Sequence, residues 1–175
     1  FALTAELTPP RGAELQSLTE AVRMLKPAVT AVNLTDGAGA RVRMSSLAAA
    51  IHVRRQGVEP ILQMTCRDRN RIALQGDLLG AAAFGIKNVL VLTGDALHGD
   101  DRATAVFDFN SRSLLAAIQQ MCSTGKTLSG AELTVVPDIY CGTADMPVDP
   151  PDNWKPDALQ QKIAAGARFV QTQYC

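Results

Sequence analysis

The sequence predicts an α/β protein built on a parallel sheet, and three observations predict it. Short apolar runs alternate strictly with segments of helical periodicity along all 175 residues. Each run ends in a polar or small residue: Glu6, Thr35, Thr65, Asp95, Gly142 and Gln173. Ligands of parallel α/β folds sit just beyond those carboxyl ends. No G-x-G-x-x-G follows the first strand and no G-x-x-x-x-G-K-[ST] occurs, which removes the dinucleotide and P-loop fingerprints. The six βα units are two short of an eight-stranded (β/α)8 barrel, the TIM-barrel architecture. A doubly wound sheet would be complete at this length and stands as the alternative.

The first strand is expected over Phe1–Leu7, ended by Thr8-Pro9-Pro10. Leu15, Leu18, Val22 and Leu25 follow helical spacing over 12–25, and Pro27 stops that helix. Ala28–Leu34 is β-branched and reads as strand two, followed by the flexible loop Thr35–Gly39. A helix follows over Ser45–Gln56, with Ser45 or Ser46 as its cap and Gly57 as its stop. Pro60–Cys66 is strand three and breaks into the charged cluster Arg67, Asp68 and Arg69. A helix over Arg71–Phe84 ends where Gly85 makes a left-handed stop cheap. Asn88–Gly94 is strand four, and Ser111–Cys122 the next helix. Leu133–Cys141 reads as strand five, although Pro137 obscures its start. A Pro- and Asp-rich loop over 142–156 holds the single Trp154. The helix Asp157–Ala165 and strand six, Arg168–Cys175, complete the order. In strand six Gln171 and Gln173 alternate and point the same way.

Composition excludes several classes. A net charge of zero with 5% aromatic residues argues against nucleic-acid binding through bulk charge. No apolar stretch approaches the roughly 18 residues of a spanning helix, so no membrane association is expected. The four cysteines lie far apart without a C-x-x-C pair, which suits buried reduced thiols in a cytoplasmic protein better than zinc or disulfides. Cys66 and Cys141 read as packing residues, since no base partner is visible for either.

In a barrel the strand-end residues face one bowl. It would hold the carboxylates Glu6 and Asp95, the amides Gln63 and Gln173, and the hydroxyls Thr35 and Thr65. His52 lies in a helix and His98 in a loop, both read as solvated or locally paired, and no metal site is expected. Arg67, Asp68 and Arg69 read as a solvated, self-paired loop, and Trp154 as a loop anchor. The set suits a large polar heterocycle held by hydrogen bonds, with one acid available for proton transfer. No strand-end Lys offers a Schiff base, which disfavours an aldolase.

These residues carry a resemblance. T-A-E-L-T-P-P-R at Thr4–Arg11, A-V-N-L-T-D-G at Ala31–Gly37, Q-M-T-C-R-D-R-N at Gln63–Asn70, L-Q-G-D-L-L-G-A at Leu74–Ala81, L-T-G-D at Leu92–Asp95 and A-G-A-R-F-V-Q-T-Q at Ala165–Gln173 occur in order along the chain. Together they resemble the methylenetetrahydrofolate reductase family, bacterial type, a (β/α)8 barrel with flavin at its carboxyl face. The resemblance implies reduction of 5,10-methylenetetrahydrofolate to 5-methyltetrahydrofolate by NADH or NADPH through FAD, with FMN as the alternative flavin. It implies Glu6 as the catalytic acid, kept protonated by burial, and Asp95 as the acid beside the flavin pyrimidine edge that also holds folate. It implies flavin contacts for Thr35, Gln63, Thr93, Gly94, Asp95 and Lys162, and folate contacts for Glu6, Asp95 and Gln173.

Three places depart from the family pattern. Gln63 stands where many members carry His, Thr93 where many carry Arg, and Gly142–Pro147 where the family has H-P-E-A. A flavin-less folate-binding or assembly subunit of a methyl-transfer complex is therefore the alternative. A homo-oligomer, or a methyltransferase domain or partner subunit, is the expected company. The chain opens at Phe1 and stops at Cys175, both inside expected strands. Residues 1–175 thus read as a single barrel domain lacking strands seven and eight. Alone, such a chain would expose apolar surface and two strand edges, and is not expected to fold stably.

Overall fold

The strands form because β-branched and aliphatic residues recur where both faces of a sheet are covered. In the computed structural model, which describes residues 1–97, 103–146, 149 and 151–172, these are β1 (Thr4–Leu7), β2 (Ala31–Leu34), β3 (Glu59–Thr65), β4 (Asn88–Leu92), β5 (Tyr140–Asp145) and β6 (Phe169–Thr172). Every neighbouring pair is parallel and the order is sequential, β1 to β6. Sequential parallel order is that of a barrel wall. A doubly wound sheet reverses direction at a switch point, so that alternative is set aside.

Helices α1 (Gln16–Leu25), α2 (Ser46–Arg55), α3 (Arg71–Ala83), α4 (Ser111–Thr124) and α5 (Asp157–Ala164) connect the strands. Three start on side-chain caps that satisfy otherwise orphaned N–H groups. Ser45 Oγ accepts from Ala48 N at 3.1 Å. Asn70 Oδ1 accepts from Ile72 N and Ala73 N. Asn110 and Ser113 form a reciprocal capping box at the start of α4.

The period of two along each strand sorts the side chains into two layers. One set (Val32, Leu34, Leu62, Met64, Val89 and Val91) packs outward against the helices, where it meets Leu74 and Leu78 of α3 and Leu114, Leu115 and Ile118 of α4. Each such side chain, once buried, contributes about 1.5–3 kcal/mol. The other set faces inward: Ala31, Ile61 and Leu90 form a small apolar floor, joined by Leu92 and Phe169. The Phe169 ring lies over the backbone of Gly142, where a Cβ would come within 2.2 Å of it. Any side chain at 142 would have to displace that ring.

Strand five corrects the sequence reading. Leu133–Ile139 is not strand; β5 runs Tyr140–Asp145 instead. Val135 and Val136 lie exposed on a connecting segment, and Pro137 has no N–H to give a ladder. The true strand, Tyr-Cys-Gly-Thr-Ala-Asp, has weak β propensity and is held by pairing to β4 and β6. The first helix also starts at Gln16, later than Gly12 suggested, and β1 and β2 start at Thr4 and Ala31. Strand six is described as Phe169–Thr172; Gln173, and His98 of the loop after β4, lie outside the described residues. Among the described residues, no helix is long and apolar enough to cross a membrane.

Cys66 and Cys141 are buried in the outer layer, and burial pushes their thiols up to about 11 and about 12. An unfolded Cys ionises near pH 8.5, whereas the folded chain keeps the Cys66 proton to about pH 11. Stability from this group is full below the unfolded value and falls as pH rises toward the folded one. The loss is on the order of 2–3 kcal/mol. Cys66→Ala is therefore expected to lose less stability than the parent between about pH 8 and pH 10.5, read by urea unfolding. Equal losses in both proteins would remove Cys66 as a source of alkaline sensitivity.

Candidate active site

The inward-facing residues at the carboxyl ends of the strands enclose a cavity of about 370 Å³. Glu6 enters from β1, Thr35 and Asp36 from the end of β2, Gln63 and Thr65 from β3, and Leu90 and Leu92 from β4. Thr93, Gly94 and Asp95 follow β4, Ala144 comes from β5, and Gln171 and Thr172 come from β6. Parity explains the selection: Glu6 pairs with Asn33 and Gln63 with Leu90, so all lie on the inner face.

Glu6 is exposed, which corrects the expectation of a buried acid: β1 is the edge strand and leaves the side chain open to solvent. Gln63 Nε2 donates to its Oε2 at 2.9 Å. That bond spans β1 to β3 and orients the carboxylate across the cavity. The Thr93 hydroxyl accepts from Ser111 N at 3.1 Å, which ties the end of β4 to the start of α4. Gly94 has φ +99°, and a Cβ there would lie 3.1 Å from both Thr65 Cβ and Arg67 Cβ. Glycine is thus required twice at this turn, by its backbone angle and by close approach.

Two residues the sequence reading did not select shape the site. By sequence Asp36 is only part of a flexible loop, yet its carboxylate is the hub of β2, β3 and α2. Its Oδ2 accepts from Thr65 N at 2.8 Å and Thr65 Oγ1 at 2.9 Å, and its Oδ1 from Ser46 Oγ at 3.2 Å. Arg69 closes an ion pair on the same carboxylate and a second one with Asp77. The second residue is Arg67, whose solvated reading is corrected: its side chain is 2% exposed. It is self-paired with Asp68, as the loop reading held, but from inside the cavity wall. A charged residue in a polar loop carries no sequence mark of burial. The signal available for Asp36 was its place directly after a strand end.

Of the other sequence candidates, Lys162 does not line the cavity; its Nζ donates to Ala144 O at 2.6 Å, one residue from the rim. Gln173 lies outside the described residues, while Gln171, two positions earlier, lines the cavity. His52 is locally paired, with Nε2 2.8 Å from Thr19 Oγ1. Trp154 is more than half exposed on the loop before α5. Among the described residues, no three His, Cys, Asp or Glu side chains converge as a metal site.

The polar groups suit a flat, many-sided heterocycle. The volume falls within the usual range for a small-molecule site. Thr35 Oγ1 is buried with no partner among the described residues, and an orphaned hydroxyl facing a cavity is a natural ligand contact. Acceptors (Glu6, Asp95), a donor (Arg67) and amides (Gln63, Gln171) line the cavity together with the apolar Leu90 and Leu92.

Sequential parallel strands, with polar groups gathered beyond their carboxyl ends, define a (β/α)-barrel protein with its site in the bowl. The family model for methylenetetrahydrofolate reductase matches residues 1–175, and the chain belongs to that family. Its fold is similar to the crystal structure of N-acetylneuraminate lyase from Mycoplasma synoviae. The two are 12% identical with a TM-score of 0.60, over 99% of this chain and 54% of that one. That likeness shows a shared fold alone, and the chain spans about half the length of the lyase. Comparison with curated proteins gives no match.

Proposed function

We propose that this chain forms, as one (β/α)-barrel domain over 1–175, the flavin- and folate-binding face of a methylenetetrahydrofolate reductase. Family membership supports the folate-reductase class. The observation that carries the residue assignment is the Glu6 carboxylate, held by Gln63 in the cavity that Asp95 also lines.

Flavin, FAD or FMN, would supply hydride transfer from a reduced nicotinamide to the folate. The chain's residues do the rest. Glu6, in its protonated form, delivers a proton to the nitrogen of the folate's five-membered ring, so that the ring opens to an iminium. That iminium carbon is where the hydride supplied by a bound flavin would be accepted, with 5-methyltetrahydrofolate as the product. Gln63 holds the Glu6 carboxyl in place. Asp95 accepts from the N–H edge of the bound heterocycle, and Thr35, Thr93 and Gly94 line the flavin side. Lys162 would reach the flavin from behind Ala144, and Gln173 would contact the folate. Leu90 and Leu92 keep water from beneath the reacting rings.

The test is an absorbance spectrum of the purified protein in the oxidised-flavin region, about 350–500 nm. Bands that bleach with NADH or NADPH and return with methylenetetrahydrofolate are expected. A colourless protein that takes up neither FAD nor FMN would overturn the proposal in favour of a folate-binding subunit.

A further inference from the structure

Arg67 is the one buried cation of the cavity wall among the described residues. It lies just past β3, and its side chain is fixed rather than free. Nε donates to Asp68 Oδ1 at 2.7 Å, and Nη2 donates to Asp68 Oδ2 at 2.7 Å and to Gly37 O at 3.0 Å. This fork clamps the guanidinium plane and leaves Nη1 without a hydrogen bond in that set. Gly37, with φ +55°, admits Nη2 within 2.6 Å of where a Cβ would be, so the backbone makes room for the group. Gly94 makes the matching room for the Arg67 stem. The bonds to Asp68, and the charges of Asp68, Asp36 and Asp95, hold the guanidinium protonated against its burial. Asp68 is about half exposed and its charge is partly screened by water. The cation inside the cavity is not.

A buried arginine with a pre-organised fork is costly to desolvate. A loop that merely needed shaping would be served by a neutral side chain. What a cation in a cavity does serve is an acceptor edge, above all one that gains negative charge during the reaction. Of the two heterocycles proposed for this bowl, the flavin gains electron density at its pyrimidine ring on reduction, whereas the folate pterin does not take up charge there. Asp95 sits close enough to Arg67 to act on it electrostatically. The two line one cavity and so offer it one donor and one acceptor, the kinds of group that the carbonyl and N–H groups of that ring require.

Resting on the flavin reading above, we propose that Arg67 binds the carbonyl edge of the flavin pyrimidine through Nη1 and raises the potential of the bound flavin by offsetting Asp95. Arg67 is then a cofactor-binding and potential-setting residue, and Asp95 alone does not set the electrostatics of the site.

The experiment measures flavin affinity and midpoint potential in the full chain and in Arg67→Met and Arg67→Lys, with folding checked by circular dichroism. Arg67→Met is expected to bind oxidised flavin at least tenfold more weakly. Its reduced form should be disfavoured at least tenfold further, a fall of about 30 mV for the two-electron couple. Arg67→Lys keeps the charge but not the fork. It should retain most of the potential and lose affinity, and it decides the matter if the methionine variant does not fold. Unchanged affinity and potential in a folded variant that still binds flavin would overturn the role of Arg67 and leave the flavin reading intact. An unchanged potential with weakened folate binding would also overturn it, by assigning Arg67 to the pterin. A parent protein that binds no flavin would sink both.

Discussion

Asp36→Ala is expected to destabilise the chain by about 3–5 kcal/mol, the usual cost of stranding a buried partner. The carboxylate is 10% exposed and accepts from four donors, Thr65 N, Thr65 Oγ1, Ser46 Oγ and Arg69 Nη2. Its loss leaves the Arg69 guanidinium one ion pair short, and it orphans the Ser46 hydroxyl and the Thr65 amide, both on buried residues. Against a typical domain stability of about 5–15 kcal/mol that is a large fraction. Urea unfolding should show the midpoint falling while the slope is unchanged. Asp36→Asn keeps the shape without the charge and should lose less. The exposed Asp152→Ala should stay within about 0.5 kcal/mol of the parent. A parent-like midpoint for Asp36→Ala would show that the loop after β2 is not held by this hub.

Glu6→Gln should lower turnover of methylenetetrahydrofolate by about 10²–10⁴, the usual worth of a positioned general acid. The amide fills the same space and can still pair with Gln63, so fold and flavin content should be unchanged. Reduction of bound flavin by the nicotinamide, measured alone in stopped flow, should proceed at the parent rate. Only the step that needs the proton should fail. Equal losses in both half-reactions would assign Glu6 to binding or structure rather than proton transfer.

Strands β2, β3 and β4 are legible because they are dense apolar runs, the pattern of a parallel sheet covered on both faces. Thr35, Thr65 and Asp95 are legible as cavity residues for a related reason: each ends a recognisable apolar run. Strand five failed because Val135 and Val136 carry the local propensity, while Tyr140–Asp145 carries the register with β4. Pairing partners far apart in the chain decide that contest, and no window of local sequence contains them. Arg67 failed for a similar reason. Its burial is made by Gly37, thirty residues away, and by Gly94 in the turn after the next strand.

Local sequence sufficed for the alternation of strand and helix, the cap at Ser45, the stop at Gly85 and the family. These depend on neighbours within one or two turns of chain, where side-chain period and capping chemistry act directly. Only the tertiary structure decided that the sheet runs in sequential order and that β5 begins at Tyr140. It alone bound Asp36 to β3 and α2, and turned a surface-looking arginine into the buried cation of the bowl. Those outcomes rest on packing and desolvation across distant segments, and a charge in a chain has no environment until the fold supplies one.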